Sequence, residues 1–559
     1  MTTFKDREHY DVIPPEAELP VESFPMESEF DVVIVGGGPN GLMTAAYLSR
    51  CNLKVLLVER RHEIGGGLAT EETLFPGYYT NPHAIYHMMT DYMPVIRDFG
   101  FDKHGLSFVM PNAQSAAVFE DGSSLLLCRQ IEDTKDSIAK FSQRDSIQFG
   151  KVMRTWRRVV EEIVAPGTYV PPIPPIDMIE AFERTEIGTE VLRLSEMSPV
   201  EIIDEQFENE KVKALLLYAA CMWGLNPTDT GLGFMVPLLI DRTMNKAQCY
   251  GGSHKFAGSL SREIHKAGGL VLDNSEVTSF ICEGGAVVGV ECFDGRVIKA
   301  KAVVSSLDPQ SNFLRLTDRS LVPDELVETA ENWEWEKWSF FTVSAATTER
   351  PEYRCDDPWV NEALMVTMGY ENPEQLIAHW DRVIGGDLGP DMVGHATCET
   401  IYDPTLPRVP GHEVSFFQMH APYDIEGGWK ARHDELIDQT LDTWQRFAPN
   451  LTRDKIVLTS AESPIDIETR IVNMVRGSIK HGDYNPLQMG VFRPSDLCEG
   501  GRTPVEGLYL CGASSYPGGL VIGGAGYIAA NTVAEDLGVE KWWSTPRFIN
   551  EYVETYLSE

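Results

Sequence analysis

The chain has 559 residues, and its 84 acidic against 47 basic side chains give a formal charge of −37 at neutral pH. Such a polyanion excludes nucleic acid as a partner, because binding to phosphates requires clustered Lys and Arg. The charge also opposes broad adhesion to anionic membranes, while a local apolar patch stays compatible with peripheral membrane contact. Composition does not define the oligomeric state.

The first 30 residues are polar, acidic and proline-bearing, and we predict an N-terminal arm here without a signal peptide. No apolar stretch reaches about 18 uninterrupted residues. Ten scattered cysteines without a Cys-x-x-Cys pair are typical of a reduced intracellular chain. We therefore expect a cytoplasmic protein, soluble or peripherally membrane-associated. No His-Glu-x-x-His or Cys/His cluster occurs, so we expect no metal.

A buried strand is predicted over Asp31–Val35, because the run after the aspartate is continuously β-branched. A G-x-G-x-x-G group follows, then a predicted amphipathic helix over Leu42–Arg50 and a buried strand over Lys54–Val58 that leads into Glu59. The whole unit within about 30 residues predicts a Rossmann-type dinucleotide site. Its glycines serve the tight turn, the approach of a pyrophosphate and helix–strand packing, in the order Gly36, Gly38, Gly41.

The acid at the end of this unit indicates which dinucleotide binds. The Glu59 carboxylate can accept both ribose hydroxyls of an adenosine and would repel a 2′-phosphate, so FAD or NAD is favoured over NADP. A second glycine group follows at Gly65–Gly67. NAD does not need this group, whereas the ribityl chain of FAD runs past such a loop. We therefore predict FAD.

These residues resemble the phytoene-desaturase-type NAD(P)/FAD-dependent oxidoreductases of the glutathione-reductase-like FAD superfamily, which includes carotenoid desaturases, carotenoid isomerases and retinol saturase. The resemblance covers three blocks, near 31–90, 245–310 and 475–540. It implies an α/β fold in which a Rossmann-like FAD-binding domain is interwoven with a mixed α+β substrate domain. In the first block it implies FAD contacts from Gly36, Gly38, Pro39, Asn40, Gly41, Glu59, Arg60, Gly66, Gly67, Leu68 and Ala69.

The middle block begins with a Gly-Gly-Ser group at 251–253 and continues into a predicted helix and strands, with a hairpin turn at 294–295. By resemblance this block returns the chain to the FAD domain, and the backbone of Val277 bonds the adenine. The helix start borders the substrate side of the flavin in such proteins. The apolar face of this helix is predicted from Phe256, Leu260 and Ile264.

The two insertions between the blocks hold nine of the eleven tryptophans. Within them Asn332–Phe341 alternates like a strand with one aromatic face, and Pro171–Pro175 predicts a stiff loop. We interpret the insertions as a substrate domain over the flavin. The predicted organisation is an arm at 1–30, an FAD-binding domain at 31–85, 245–320 and 480–545, a substrate domain at 86–244 and 321–479, and a tail at 546–559.

The last block combines a loop at Gly477–Gly482, an Arg-Pro pair at 493–494 and a predicted buried strand over Gly507–Cys511. By resemblance the backbone after this strand meets the FAD phosphate and ribityl chain. The next helix directs its positive end at the isoalloxazine, which stabilises the reduced flavin. Tyr516 and Leu520 depart from the His-Pro-Gly-Gly-Gly common in the family. The implied contacts are Gly512, Ala513, Gly519, Leu520 and Val521.

Candidate proton-handling residues are His254, His481 and Tyr516, because all three lie in loops expected near the ring. His83 and His87 are interpreted as core histidines. The resemblance implies an oxidoreductase that desaturates C–C bonds of a small apolar substrate (terpenoid, alicyclic or polyene) by hydride transfer to flavin N5. A quinone, another carrier or oxygen would then accept the electrons.

Three other functions stay open. The first is a redox-neutral FAD-dependent isomerase or hydratase. The second is an amine oxidase, whose aromatic cage for a cationic amine is not evident in the sequence. The third is a non-catalytic relative that binds small GTPases, against which the intact Glu59 unit and the C-terminal flavin loop argue.

Overall fold

The computed structural model describes residues 24–103 and 105–558, so residues 1–23 of the predicted arm lie outside the described residues. The strands are β1 Glu27–Val35, β2 Val55–Val58, β3 Glu71–Phe75, β4 Tyr78–Thr80, β5 Phe108–Val109, β6 Ala113–Val118, β7 Ser124–Cys128, β8 Gln248–Cys249, β9 Leu270–Leu272, β10 Val277–Glu283, β11 Ala286–Cys292, β12 Val297–Ser305, β13 Ser339–Thr347, β14 Met365–Met368, β15 Gly394–Cys398, β16 Glu413–Ala421, β17 Ile456–Glu462 and β18 Leu508–Leu510. The α-helices are α1 Pro39–Ser49, α2 Pro94–Phe99, α3 Ile131–Ala139, α4 Gln143–Val159, α5 Ala165–Gly167, α6 Pro175–Phe182, α7 Glu186–Ser195, α8 Pro199–Gln206, α9 Glu210–Cys221, α10 Met235–Thr243, α11 His254–Lys266, α12 Asp324–Glu331, α13 Pro373–Ile384, α14 Trp429–Phe447, α15 Pro464–Arg470, α16 Gly524–Asp536 and α17 Arg547–Tyr552.

The first sheet is built around the predicted dinucleotide unit. Its order is β10-β11-β12-β1-β2-β9, and β18 pairs with the C-terminal end of β12. The strands β18, β12, β1, β2 and β9 run parallel, whereas β10 and β11 extend the sheet antiparallel. Alternate residues of β1 belong to two separate cores, since Ile34 packs on one side and Val33 on the other. The α/β fold class, the buried strands and the hairpin turn are confirmed.

Two boundaries of this unit differ from the prediction. β1 begins at Glu27, so the strand includes four residues assigned to the arm. The first helix spans Pro39–Ser49 and is not amphipathic, because every residue from Gly41 to Ser49 is buried. It packs against the sheet, α11 and α16 at once, which leaves it no solvent face. The apolar face predicted for the helix after Gly252 is confirmed in α11.

The second sheet comes from the two insertions and has the order β17-β13-β16-β15-β14-β6-β7. Its pairs are antiparallel except β14 with β6. One face packs on α14, where Phe417 meets the Trp444 ring at 6.0 Å between centroids. Because side chains alternate along a strand, Thr342 and Gln418 project from the opposite face.

The predicted aromatic strand at 332–341 is wrong over most of its length, because β13 begins only at Ser339. Trp333 lies against the Arg493 guanidinium, and Trp338 lies against the Lys480 ammonium, with cation-to-ring distances of 5.5 and 5.1 Å. A strand would point these two indoles to opposite faces, since they are five residues apart. Trp333 and Trp338 therefore pack against buried cations, and the segment before Ser339 is not a strand.

The predicted tail at 546–559 is largely helical. α17 continues into a π-helical turn over Val553–Leu557, and both Tyr552 and Tyr556 are buried. The Tyr556 ring meets Phe182 edge-on at 5.3 Å. This segment therefore closes over α6 instead of extending into solvent.

Among the residues that the structure describes, no helix has the length and the apolar character that crossing a bilayer requires. The 19-residue helix α14 fails on composition, because it includes charged side chains along its length.

Replacement of Trp444 by Ala should lower the free energy of unfolding by about 3–5 kcal/mol, as is usual for loss of a buried indole. Trp444 belongs to α14, is 1% exposed and packs against the second sheet. Urea denaturation followed by circular dichroism measures the change. The control is Trp359→Ala, since Trp359 is 39% exposed and its loss should stay within about 0.5 kcal/mol. Equal effects would show that the α14 interface contributes little.

Candidate cofactor and active site

The loop between β1 and α1 places bare backbone at the end of the parallel sheet. Gly36 has a φ of +96°, which favours glycine. A Cβ on Gly41 would lie 2.1 Å from the Gly36 carbonyl oxygen, so helix and turn could not approach as they do. A Cβ on Gly38 would meet no atom within 4 Å, because this residue faces open space. The N-terminus of α1, which starts at Pro39, lies at the same loop, and the first backbone N–H groups of a helix have no partner within the helix.

Glu59 lies beside this loop at the end of β2. Its Oε2 accepts the Gly37 N–H at 2.7 Å, and its Oε1 accepts the Arg61 N–H at 2.8 Å. Burial raises the pKa of Glu59, although these two amides act in the opposite direction. Each carboxylate oxygen keeps a free lone pair, so the group can still accept ligand hydroxyls.

These groups border a long, partly open cavity. We call it the dinucleotide cavity. Four distant parts of the chain form its walls, from the β1–α1 loop to the segment after β18. The predicted cofactor residues that line it are Gly36, Gly38, Pro39, Asn40, Glu59, Arg60, Gly66, Gly67, Val277, Gly512, Ala513, Gly519, Leu520 and Val521.

Three predicted cofactor residues do not line this cavity. Gly41 serves helix packing, as its contact with Gly36 shows. Leu68 and Ala69 are buried, and the Leu68 N–H donates to the Gly65 carbonyl. The Leu68 backbone therefore closes the turn of the second glycine loop.

The sequence prediction missed the wall contributed by Arg470–Met474. In this wall the Asn473 side chain holds three groups at once. Its Oδ1 accepts the Asp308 N–H at 2.8 Å, and its Nδ2 donates to the Ser306 carbonyl at 3.1 Å and to His481 Nδ1 at 2.8 Å. The segment shows no periodic pattern. Its one sequence signal is its place directly before the Gly477–Gly482 loop.

The bond from Asn473 determines the tautomer of His481. The Asn473 amide uses its oxygen for Asp308, so its nitrogen must donate to His481 Nδ1, and the ring proton must lie on Nε2. His481 lines the dinucleotide cavity. Burial and the nearby Arg493 lower the pKa of His481 to about 3. The ring is therefore neutral at pH 7 and is suited to donate a hydrogen bond.

The other two catalytic candidates lie elsewhere. Tyr516 donates its hydroxyl hydrogen to the Gly167 carbonyl at 2.9 Å, and burial raises its pKa. It lines an apolar cavity beside the dinucleotide cavity. His254 begins α11, is buried, and lines neither of these two cavities. Of the three candidates, the structure thus brings His481 alone to the dinucleotide cavity.

Two further cavities adjoin the dinucleotide cavity. The apolar channel lies between Met88, Phe234, Tyr516 and α6. The sheet cavity lies beneath the second sheet and includes His83 in its wall, whereas His87 is buried outside it. Leu520 is part of all three walls.

Leu520 and Val521 adopt the left-handed conformation, with φ of +71° and +55°. Such angles cost about 1–2 kcal/mol for a residue with a side chain. Neighbouring hydrogen bonds hold the segment in place, because the Gly519 N–H donates to Tyr484 Oη at 3.0 Å and the Tyr169 hydroxyl donates to the Ile522 carbonyl at 3.1 Å.

A family model described as flavin containing amine oxidoreductase matches residues 40–536. The chain belongs to the flavin-containing amine oxidoreductase family. It is 37% identical to a limonene dehydrogenase subunit of Castellaniella defragrans over 92% of this chain and 96% of that one. It is 22% identical to all-trans-zeta-carotene desaturase of Myxococcus xanthus, covering 91% and 94% of the two chains. These findings confirm the resemblance to desaturase-type flavoproteins and the assignment as a flavin-dependent oxidoreductase.

The fold also matches solved structures. A variant of putrescine oxidase superposes with a TM-score of 0.59 at 13% identity, over 92% of this chain and 99% of that one. The likeness confirms a Rossmann-type domain combined with a substrate domain.

Replacement of Glu59 by Ala should weaken flavin binding roughly 10- to 100-fold, because hydrogen bonds to a charged group contribute about 1.5–3 kcal/mol. The ratio of flavin to protein absorbance after gel filtration, at a series of added flavin concentrations, measures the effect. The control is Glu63→Ala, which removes a nearby carboxylate that does not line the cavity. Full occupancy in Glu59→Ala would contradict the ribose assignment.

Replacement of Asn473 by Asp should raise the pKa of His481 by about 1–3 units, since a carboxylate would then face Nδ1 and favour the imidazolium. The pH profile of kcat/KM should gain an ionisation between about pH 4 and 6 that the parent enzyme lacks. Thermal denaturation checks that the fold is retained. An unchanged profile would show that His481 does not influence the reaction.

Proposed function

We propose that the chain binds FAD and dehydrogenates a C–C bond of a neutral, apolar substrate of terpenoid, alicyclic or polyene type. One observation carries the proposal: two largely apolar cavities meet the dinucleotide cavity at Leu520. The similarity to the limonene dehydrogenase subunit, whose name denotes dehydrogenation of an alicyclic terpene, supports the same class of substrate.

The shape and the donors of the dinucleotide cavity fit FAD. We assign Glu59 to the adenosine ribose, the backbone of Val277 to the adenine, and the loop at Gly38 with the start of α1 to the pyrophosphate. The segment at Gly512–Ala513 would meet the ribityl chain, and Gly519–Val521 would meet the ring. When bound, FAD supplies a hydride acceptor at N5, and a quinone, another carrier or oxygen would reoxidise it.

The walls of the two apolar cavities argue for an uncharged substrate. Within the described part of the chain, the sheet cavity is lined by no Asp, Glu, Lys or Arg, and the lining of the apolar channel includes Arg242 as its single charged residue. A cationic amine would lose its hydration there without meeting a carboxylate, which is costly. This disfavours amine oxidation within a family that is named for it.

The chain's own groups then orient the reactants. His481 would donate its Nε2–H towards the bound ring, and its low pKa excludes it as an imidazolium acid at neutral pH. Tyr516 would shape the channel, because its hydroxyl is already bonded to Gly167. We assign His254 no contact with the reactants. Leu520 and Val521 would border both the ring and the substrate cavities.

An anaerobic substrate screen tests this function. A neutral terpene or polyene should bleach the flavin of the holoenzyme, and mass spectrometry should find a product that is lighter by two hydrogens. A primary amine of similar size is the control and should leave the flavin oxidised. Bleaching by the amine alone would contradict the proposal. Product formed without net flavin reduction would instead indicate the isomerase or hydratase.

A further inference from the structure

The sheet cavity has a paired set of polar side chains on the second sheet. Gln418 of β16 and Thr342 of β13 are opposite each other in register, and both line this cavity. The Gln418 amide donates from Nε2 to Thr342 Oγ1 at 2.9 Å. Gln418 is only 8% exposed, so this amide sits in the protein interior and faces the space where a substrate would lie.

This pair keeps hydrogen-bonding capacity after its internal bond is made. Within the described residues no protein group bonds Gln418 Oε1, and the atom keeps contact with cavity space. Thr342 uses an oxygen lone pair for the amide and can still donate its hydroxyl hydrogen. If the amide nitrogen and oxygen are exchanged, Nε2 faces the cavity in place of Oε1, so one polar amide atom faces the cavity in either orientation.

His83 adds a third polar group to the same wall. Its Nε2 is buried without a protein hydrogen-bond partner among the described residues. Burial lowers the pKa of His83 to about 3, so the ring is uncharged. Ile85, Phe340 and Met474 line the cavity without strong donors or acceptors, whereas Trp223 adds an indole N–H and the Tyr86 hydroxyl is already bonded to Thr397.

We infer that the substrate carries one oxygen function, a hydroxyl or a carbonyl, which Gln418 and Thr342 bind while its hydrocarbon part extends towards Leu520 and Val521. This inference rests on the proposed function and narrows it to an oxygenated apolar substrate. A few placed polar groups in an apolar pocket fix the orientation of a ligand. An analogue that lacks the oxygen leaves the buried polar groups unpaired, and it therefore binds much more weakly.

This assignment makes Gln418 a specificity-determining residue that orients the substrate from the sheet. The wall of the sheet cavity includes Ile479 and Val521, which also line the dinucleotide cavity. A substrate held by its oxygen at Gln418 would therefore present its carbon skeleton to that shared wall. A pure hydrocarbon of equal size would lack this fixed orientation.

The test uses hydrocarbon–alcohol pairs on three skeletons: limonene with carveol, myrcene with geraniol, and menthane with menthol. Binding to the oxidised holoenzyme is measured by isothermal calorimetry, and flavin reduction is followed anaerobically. At least one alcohol should bind roughly 10- to 100-fold more tightly than its hydrocarbon, as expected when buried polar groups gain or lose their partner. Gln418→Leu should abolish this preference, because the hydrocarbon then leaves no buried amide unpaired and the alcohol finds no amide to bind. Thr342→Val is an independent second variant that should reduce the preference.

The matched control is Gln439→Leu. Gln439 lies on α14, lines none of the three cavities, and donates a hydrogen bond to Glu435 at 2.9 Å. A preference that persists in Gln418→Leu would overturn the role of Gln418. Equal binding and reduction by hydrocarbon and alcohol in the parent enzyme would overturn the oxygenated substrate and leave the dehydrogenase intact. If no member of any pair reduces the flavin, the proposed function fails, and the inference fails with it.

Discussion

The dinucleotide cavity depends on the hydrogen bonds that the buried Arg493 guanidinium donates. The guanidinium donates to the carbonyls of Lys480 at 2.8 Å and Ala513 at 3.0 Å, and so joins the two loops that form one end of the dinucleotide cavity. It also stacks on Tyr484 at 4.9 Å. Burial lowers the pKa of Arg493, yet an arginine keeps its proton, so the carbonyl dipoles and the ring must balance its charge.

Lys480 extends this arrangement to the segment that precedes β13. Its Nζ lies 3.4 Å from Glu336 Oε1 and 4.1 Å from the centroid of the Tyr484 ring. Burial raises the pKa of Glu336 to about 7, and Lys480 acts in the opposite direction. The residues on either side of Lys480, Ile479 and His481, line the cavity. In this short turn Ile479 and His481 therefore face the dinucleotide cavity, whereas the Lys480 side chain is buried in the protein interior.

The parts predicted from the sequence are those with local physical causes. The β1–α1–β2 unit was predictable because glycine spacing, a β-branched run and Glu59 all act within about 30 residues. The amphipathicity of α1 was predicted wrongly, since burial on every side comes from the distant α11 and α16. Asn473 could not be found, because its role comes from three partners that only the folded chain brings together. The polar pair on the second sheet likewise exists only after β13 and β16 have paired.

The order of these segments along the chain has a consequence for biosynthesis. The first glycine loop is made early, whereas Gly512–Val521 completes the same cavity near the C-terminus and Tyr552 closes the apolar channel later still. Contacts between such distant segments form late in folding, because closing a long loop must precede them. During most of its synthesis, the chain therefore lacks the segment that forms one wall of the dinucleotide cavity. A chain that ends before Gly512 would leave the ribosome with the dinucleotide cavity open on one side.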